Sequence, residues 1–534
     1  MGSFQIASSS SSPSRIHYSS SLFLVLDKTK VVKCRRGTFV TTKSSSSSSS
    51  SSSETIKRQH SKRQQQRSCS SNSKNKRRVT NSNKRVVMVT LKLLVISNKC
   101  NARSTAPFAN RTFDNRNNNL QLMRRQMGYI SHQRTAITKR LWNDRLEQMN
   151  VDKPHAPEQT EIKKKKIKEH VVLYDFENDL QLARDYATPW NTARIGRILE
   201  DMDSLAGNVV FTHIDDENLN TRPPNAVTAS ADNIRQFDTL SLHQKTFLHG
   251  AVAFVGTSSI VVRCDLKNEQ GKVLMRADFT FAARSNVTGK ATPVNTLDLE
   301  NLTEKQKEDF EEVKAQSTLK KNRKMDKMPM REEVKEFRQK WVKKVREMSR
   351  VAREMPARAV LHEKLSKTVL TSQTVHENLF VAQPQQVNLS GRIFGGFLLR
   401  RGFELALANA YTFSGSFPIF VKMSDVDFRA PVEVGDLLRF RAKIIHVGEE
   451  GEFKDLELEK KIDEKRNEAE VEREVVLQVE AIVVNPKTVN AIVTNSFLIT
   501  FRVKGDISTV LPESTDEAYG VFERVIRPKL CGWD

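Results

Sequence analysis

The amino-acid sequence predicts an α+β protein in which two similar folded units follow a disordered, basic N-terminal arm. One apolar helix followed by several strand-like runs occurs twice, about 200 residues apart. The strand-like runs alternate in hydrophobicity, as in Leu437–Val447, where apolar residues alternate with Arg and Lys. The excess of positive charge is confined to the first 150 residues. These three observations fix the class and the order of its parts.

The arm, residues 1–150, contains 29 Lys and Arg against 5 Asp and Glu, a net charge of +24 that equals the net charge of the whole chain. The remaining residues hold 58 basic and 58 acidic side chains. A basic pI suggests a nucleic-acid binder, but here nucleic acid is an unlikely partner for the folded part, and only the arm leaves that alternative open. Its Ser-rich runs, such as Ser44–Ser53, and its few acids are typical of an organelle transit peptide, and a solvated tail is the other interpretation.

The cysteine pattern and the hydropathy exclude several classes of protein. Five cysteines occur without any CxxC pair or zinc-ligand spacing, so we expect no metal site, no cofactor and a reducing compartment. The longest apolar run, Val86–Ile96, is interrupted by Lys92. A membrane span needs about 20 apolar residues, so we predict no membrane span.

The two folded units are predicted at residues 167–300 and 367–510. In the first, apolar runs flank the turn-forming stretch Lys267–Gly271, which indicates a hairpin. Residues 301–366 lack glycine and are rich in charge, which favours a partly helical linker. Residues 511–534 form a C-terminal tail, and Glu449–Glu474 is predicted to be a charged insertion in the second unit.

Each unit has one helix with a glycine at its start. The first follows Asn191, and the second follows Asn388 and contains the pair Gly395 and Gly396. Glycine lets a ligand approach the backbone, and free N–H groups at a helix start favour a developing negative charge. A carboxylate on a mainly apolar helix face, such as Asp203, is expected to have a raised pKa and to orient or deprotonate a water molecule.

These segments resemble the double-hotdog acyl-CoA thioesterases, in particular a mitochondrial member. The resemblance rests on Arg392–Leu398 and Phe428–Asp436 in the second unit, and on Ile195–Leu205 and His249–Gly256 in the first. It covers roughly residues 167–510 and not the arm. It implies tandem hotdog domains, each a long helix wrapped by an antiparallel sheet, a fatty acyl-CoA substrate hydrolysed to free acid and CoA, a homo-oligomer, and a location in the mitochondrial matrix.

The resemblance also implies sites at the surface where two hotdogs pair. One hotdog supplies an Asn and glycine backbone, matched here by Asn388, Gly395 and Gly396, and the other supplies an acid from its helix, matched by Asp203. Asp203 would act on water or attack the thioester directly, and both mechanisms stay open.

The reciprocal site departs from the family pattern. Phe403 stands where the acid is expected, with Glu404 one position further, and Asn191 lies closer to its glycine than Asn388 does. We therefore predict a weaker or inactive second site built from Asn191 and Glu404.

Three alternatives remain. A hotdog dehydratase normally needs a His and an acid on the helix, which this chain lacks; His249 is more consistent with a strand residue than with a site residue. A catalytically inactive hotdog scaffold is compatible with one degraded site. Binding of nucleic acid through the arm would not need Asn388. No Gly-x-Ser-x-Gly motif occurs, which disfavours a serine-nucleophile hydrolase.

Overall fold

The computed structural model describes residues 134–148, 156–218, 220–325, 328–388, 391–448 and 472–533. Within these ranges the α-helices are α1 (Ala136–Gln148), α2 (Leu180–Tyr186), α3 (Ile195–Ile214), α4 (Glu304–Lys324), α5 (Glu332–Glu354), α6 (Pro356–Leu361), α7 (Gly395–Ser414), α8 (Thr515–Val521) and α9 (Arg527–Cys531). Short 3₁₀ turns cover Leu299–Asn301, Thr371–Thr374 and Pro384–Gln386, and a π turn covers Phe522–Ile526.

Fourteen β-strands lie in the same ranges. They are β1 (Lys164–Lys165), β2 (His170–Asp175), β3 (Asn225–Gln236), β4 (Lys245–Val255), β5 (Ser259–Asn268), β6 (Val273–Arg284), β7 (Thr296–Leu297), β8 (Thr368–Leu370), β9 (His376–Val381), β10 (Ile419–Phe428), β11 (Leu437–Val447), β12 (Glu472–Asn485), β13 (Asn490–Lys504) and β14 (Thr509–Leu511). The predicted strand Leu437–Val447 and the hairpin around Lys267–Gly271 are confirmed, whereas the charged insertion lies mostly outside the described residues.

The ten-stranded sheet consists of two halves with the same strand order. The order is β2-β4-β5-β6-β3 in the first half and β9-β11-β12-β13-β10 in the second, and all neighbours are antiparallel. The halves meet where β3 pairs with β10, with Ile234 opposite Met423 and Ala231 opposite Val426. Each half carries one long helix, α3 or α7. The predicted α+β class and hotdog arrangement are confirmed.

The two long helices are buried because their apolar residues recur at helical spacing. In α3, Ile198, Leu199, Met202 and Leu205 are fully buried. The sheet approaches closely: a Cβ at Gly250 of β4 would lie 2.9 Å from Leu205 Cδ2. The sheet therefore wraps each helix and fixes which residues of that helix can face the other half.

Helix α1 lies within the span predicted as arm, and it packs on α3. Its residues Ile137, Leu141, Trp142 and Leu146 are buried, and the Leu141 carbonyl accepts a hydrogen bond of 2.7 Å from Asn208 Nδ2. The prediction of an arm that is disordered up to residue 150 is therefore wrong for this segment, because its apolar side chains Ile137, Leu141 and Trp142 are buried in the same core as those of α3. The rest of the arm lies outside the described residues.

The linker and the C-terminal tail pack beside the sheet. Helix α4 supplies Asp309 and Glu312 to Arg263 of β5, at 2.6 and 2.7 Å, and α5 shares a small apolar core with the tail through Val334 and Phe522. The domain boundaries at 167, 300, 366 and 510 remain predictions. Among the helices that the structure describes, none is long and apolar enough to cross a membrane.

Candidate active site

The loops that precede α3 and α7 have the same hydrogen bonds. The backbone N–H of Asn388 donates to the Arg392 carbonyl at 2.6 Å, and that of Thr188 donates to the Thr192 carbonyl at 2.8 Å. The Arg392 N–H donates back to Asn388 Oδ1 at 3.2 Å, and the Thr192 N–H donates to Thr188 Oγ1 at 3.1 Å. Thr188 is therefore the structural counterpart of Asn388.

Asn191 occupies a different position in its loop. Its φ of 58° corresponds to the φ of 81° at Gly391, so both residues make the left-handed turn before the helix. Asn191 is exposed, and its Nδ2 lies 3.4 Å from His243 Nε2. The proposed match of Asn191 to Asn388 is therefore wrong in this structure. Asn191 makes the left-handed turn before the helix, whereas the side chain of Asn388 accepts a hydrogen bond within its loop.

Asp203 of α3 faces the first turn of α7. Its side chain is buried, and Oδ1 accepts a hydrogen bond of 3.2 Å from Thr228 Oγ1 of β3. A Cβ added at Gly395 would lie 3.1 Å from Asp203 Oδ2. We call this arrangement of Asp203, Thr228, Gly395 and Gly396 the acid site. It combines one half's carboxylate with the other half's helix start.

Burial raises the pKa of Asp203 to about 7, and the charge of Glu200 adds to this rise. The Thr228 hydroxyl, the Gly396 N–H and Arg134 oppose it. The Gly396 N–H is close enough to act on the charge, yet Oδ2 has no well-formed hydrogen bond among the described residues. A carboxylate with one free oxygen and a pKa near neutrality is suited to hold and move a proton.

The glycines let the two helices meet at their starts. A Cβ at Gly396 would lie 3.0 Å from the Glu200 Cα and 2.7 Å from Phe394 Cε1, which is closer than real Cβ atoms come. A Cβ at Gly196 would lie 3.2 Å from Arg400 Cγ. The backbone of Gly396 thus sits directly against α3, one turn before Asp203.

Two further acids of α3 are buried beside Asp203, and both are fully engaged. Glu200 lies between Arg134 Nη1 at 2.7 Å and Arg400 Nη1 at 2.9 Å. Asp201 accepts hydrogen bonds from four hydroxyl groups, those of Tyr174, Tyr186, Thr135 and Thr138. Burial raises the pKa of Asp201 to about 6 while these hydrogen bonds lower it. Of the three acids, Asp203 alone has a carboxylate oxygen without a partner in the described part.

Asn388 is half-buried, eight residues before Gly396, and its Oδ1 helps to close its own loop. Its role toward a substrate stays a prediction. His249 lies on β4 between Leu248 and Gly250, which face α3, so its side chain points to the other face of the sheet. There its Nδ1 lies 2.7 Å from Glu169 Oε1. His249 is thus a strand residue, as the sequence favoured.

The reciprocal site has an aromatic pair where the acid site has Asp203 and Thr228. Asn233 of β3 and Asp425 of β10 both have a φ of 51° at a bulge, and this match aligns Thr228 with Phe420. The counterpart of Asp203 is Phe403, whose ring lies 5.2 Å from that of Phe420 in an edge-to-face arrangement. Two packed phenylalanine rings thus take the places of the residues that would bind and move a proton.

Arginines surround the start of α3 in this reciprocal site. Glu404, the predicted helper, pairs with Arg194 at 2.8 Å, Arg400 at 3.2 Å and Arg401 at 3.4 Å. We call Arg194, Arg197 and Arg400 the arginine site. Because the Glu404 carboxylate is engaged by three guanidinium groups, it is poorly placed to act as a base.

Sequence reasoning missed Thr228, Arg134 and the two acids adjacent to Asp203. Nothing in the sequence marked Thr228 as a site residue, because a polar residue on a half-buried strand is common. The run Glu200, Asp201 and Asp203 on an otherwise apolar helix was a usable signal, because acids are seldom buried without partners. In the described residues, no group of three or more His, Cys, Asp or Glu is arranged to hold a metal ion.

Comparison with known proteins identifies relatives of the chain. No family model matches the chain. The chain is 34% identical over 415 residues to acyl-coenzyme A thioesterase 2, chloroplastic, of Humulus lupulus, covering 73% of the chain and 88% of that protein. It is 32% identical over 287 residues to acyl-coenzyme A thioesterase 9, mitochondrial, of Homo sapiens, covering 51% and 62%.

One solved structure among the matches is an acyl-CoA hydrolase from Staphylococcus aureus in complex with butyryl coenzyme A, coenzyme A and coenzyme A disulfide. It is 21% identical, covers 31% of the chain and 92% of that protein, and has a TM-score of 0.24. The extent and identity of the match to the Humulus lupulus protein are sufficient to assign the family. The chain belongs to the acyl-coenzyme A thioesterases.

Proposed function

We propose that this protein hydrolyses fatty acyl-CoA to a free fatty acid and CoA at the acid site. The observation that carries the proposal is the buried Asp203 carboxylate, with one free oxygen, facing the first turn of α7. The family assignment supports the same chemistry. A non-catalytic scaffold would have no need to bury a carboxylate with one oxygen that lacks a well-formed hydrogen bond, because such burial costs free energy.

The N–H groups around Gly395 and Gly396 would polarise the thioester carbonyl. They belong to the first turn of a 20-residue helix, where the N–H groups lack partners within the helix and the dipole favours negative charge. The oxygen of the carbonyl becomes an oxyanion as the carbon is attacked, and fixed donors lower that barrier. Asn388 would assist by holding water or the carbonyl.

Asp203 would act in one of two ways. As a base it takes a proton from water, the water oxygen bonds to the carbonyl carbon, the carbon–sulfur bond breaks, and the proton passes to the sulfur. As a nucleophile, Oδ2 bonds to the carbon and releases the thiol, and water then cleaves the mixed anhydride. Isotope found in Asp203 after a single turnover in ¹⁸O-water requires direct attack, with water then adding to the Asp203 carboxyl carbon of the anhydride.

The test is thiol release by the full chain from short-, medium- and long-chain acyl-CoAs. Asp203→Asn should lower turnover at least about a hundredfold, the low end for loss of a general base. Asn388→Ala should also lower it. The full chain is required because α1 packs on the helix that carries Asp203.

The matched control is Asp506→Asn, which removes an exposed carboxylate that pairs with Lys367 at the surface. It should retain wild-type turnover. Near-wild-type turnover in Asp203→Asn would refute the role of that residue, and no thiol release from the folded wild type would favour the scaffold alternative.

We propose that the protein is located in an organelle, and among organelles we favour the mitochondrial matrix. The Ser-rich basic arm supports it, and the relatives carry the words chloroplastic and mitochondrial in their names. Because α1 begins at Ala136 and Arg134 contacts Glu200, we expect any cleavage to occur before Arg134. N-terminal sequencing of the protein isolated from its organelle checks this, and a fluorescent fusion identifies the organelle.

We also propose that the protein is a homo-oligomer. The two edge strands of the sheet carry exposed apolar side chains, Val171 and Leu173 on β2 and Leu379 and Val381 on β9. Exposed apolar edge strands favour association with another chain. Mass photometry of the full chain should give a multiple of 60.8 kDa, and Leu173→Lys with Leu379→Lys should reduce that multiple.

A further inference from the structure

Three arginines converge at the start of α3. Arg194 is the residue before the first turn, Arg197 lies in that turn, and Arg400 reaches them from α7. A helix start already favours anions, because its N–H groups carry partial positive charge. Here three guanidinium groups add their positive charges to that of the helix start.

The acids in reach do not balance these charges evenly. Glu404 pairs with Arg194 at 2.8 Å and with Arg400 at 3.2 Å, and Arg400 also pairs with Glu200 at 2.9 Å. Across the residues that the structure describes, Arg197 has no carboxylate within salt-bridge distance, and its Nε is buried without a hydrogen-bond partner. The Nε–H of this half-buried arginine thus has no acceptor among the described residues.

Arg197 also experiences the charge of its neighbours. Burial lowers its pKa, and the adjacent Arg194 and Arg400 lower it further, while Asp185 and Tyr186 act in the opposite direction. It remains a cation at neutral pH, but one that the folded protein disfavours. An anion bound between the three guanidinium groups would remove that penalty.

The cluster is particular to this half of the molecule. The residues that correspond to Arg194 and Arg197 at the start of α7 are Phe394 and Phe397, and the residue that corresponds to Arg400 on α3 is Glu200. Every arginine of the site therefore replaces an apolar or acidic residue of the acid site. The reciprocal site has lost its acid and gained positive charge at the same place.

We propose that the arginine site binds a phosphate group, as a monoester or a diphosphate. Arginine presents a planar fork of N–H donors that matches phosphate oxygens, and the helix dipole favours negative charge at the start of α3. A ligand can reach the site from the side of Arg194, whose side chain is 33% exposed, whereas that of Arg400 is 15% exposed. The apolar pair Phe403 and Phe420 closes its inner side and supplies no reactive group.

The experiment is calorimetric titration of the full chain with inorganic pyrophosphate, and in parallel with octanoate as a carboxylate of the product class. The wild type should bind pyrophosphate with one saturable site. Arg197→Gln should weaken binding by about tenfold or more, as expected for loss of a charge-assisted contact. Arg197→Lys should fall between the two, because it keeps the charge and loses the fork. The control is Arg350→Gln on the exposed face of α5, which should not change binding.

The outcomes decide the proposal separately from the proposed hydrolysis. Binding retained in Asp203→Asn and lost in Arg197→Gln supports a phosphate site distinct from the acid site, whether or not thiol is released. Equal weakening by Arg197→Gln and Arg350→Gln means a general charge effect and overturns the proposal. Saturable binding of octanoate without pyrophosphate, or no binding in a folded wild type, overturns it as well.

Discussion

The acid site and the arginine site are built on the same backbone and differ in chemistry. Both place the start of one long helix against the side of the other, with the same loop hydrogen bonds. In the acid site the facing side chains are Asp203 and Thr228, and in the arginine site they are Phe403 and Phe420. The backbone therefore supplies a position where a ligand can meet helix N–H groups, and the side chains decide which ligand.

Helix α1 reinforces this asymmetry because it covers α3. Arg134, Thr135 and Thr138 contact Glu200 and Asp201. On α7 the residue that corresponds to Phe211 is Tyr411, which is 39% exposed and makes an edge-to-face contact with Trp190. The acids beside the acid site are thus buried by an element that has no counterpart on α7 among the described residues.

The largest expected effect tests that cover. Trp142→Ala should lower the free energy of unfolding by about 3–5 kcal/mol, because Trp142 is buried and its ring lies 5.0 Å from that of Phe394. Trp190→Ala is the matched change, and it should cost less than about 1 kcal/mol because Trp190 is 49% exposed. Urea unfolding measures both. Similar losses would mean that α1 does not pack as described.

The second test sets two neighbouring carboxylates of α3 against each other. The pKa of Asp203 is raised to about 7, above its unfolded value, so the folded state binds more protons than the unfolded state between about pH 4 and 7. Stability therefore falls as the pH rises through that window. Asp203→Asn should therefore raise the free energy of unfolding at pH 8 by up to a few kcal/mol, while it lowers turnover.

Asp201→Asn should have the opposite sign. It exchanges an acceptor of four hydroxyl donors for an amide that cannot accept them all, at a cost of about 1–3 kcal/mol. Thermal melts of both variants at pH 5 and pH 8 give the comparison. Destabilisation by Asp203→Asn at pH 8 would show that its carboxylate is satisfied after all.

The third test compares the two glycines at the helix starts. A methyl group at Gly396 would meet the Phe394 ring and the Glu200 backbone, neither of which can easily move, so Gly396→Ala should cost about 1–3 kcal/mol and reduce thiol release. Gly196→Ala meets the flexible Arg400 side chain and should cost less. Gly520→Ala in α8, with ordinary contacts, is the control and should be neutral or slightly stabilising.

Local patterns in the sequence were enough to predict the sheet and its helices. Alternation along Leu437–Val447 and helical spacing along Ile198, Leu199 and Met202 report burial directly, since each depends on neighbours in the chain. The acid at position 203 and the glycines at 395 and 396 were predicted from family resemblance. The structure brings these residues together at the acid site.

The remaining site features depend on contacts between distant segments. Thr228 reaches Asp203 only because β3 crosses the helix there, and Arg134 reaches Glu200 from 66 residues away. The match of Thr188, rather than Asn191, to Asn388 rests on loop hydrogen bonds that leave no mark in residue type. Such information exists only once the chain has folded.

The smallest expected effect isolates the hydroxyl that distinguishes the acid site. The hydrogen bond from Thr228 lowers the pKa of Asp203, so Thr228→Val, which keeps the shape and removes the donor, should raise that pKa. If the ionised carboxylate is the active form, kcat/KM in the wild type rises with pH and levels off above about pH 7. In Thr228→Val the rise should move to higher pH, with a severalfold loss at pH 7 that recovers in alkaline buffer. Thr228→Ser restores the donor and should restore the wild-type profile, so a loss shared by Ser and Val, or one that does not recover with pH, would mean that Thr228 acts by packing and not through the charge of Asp203.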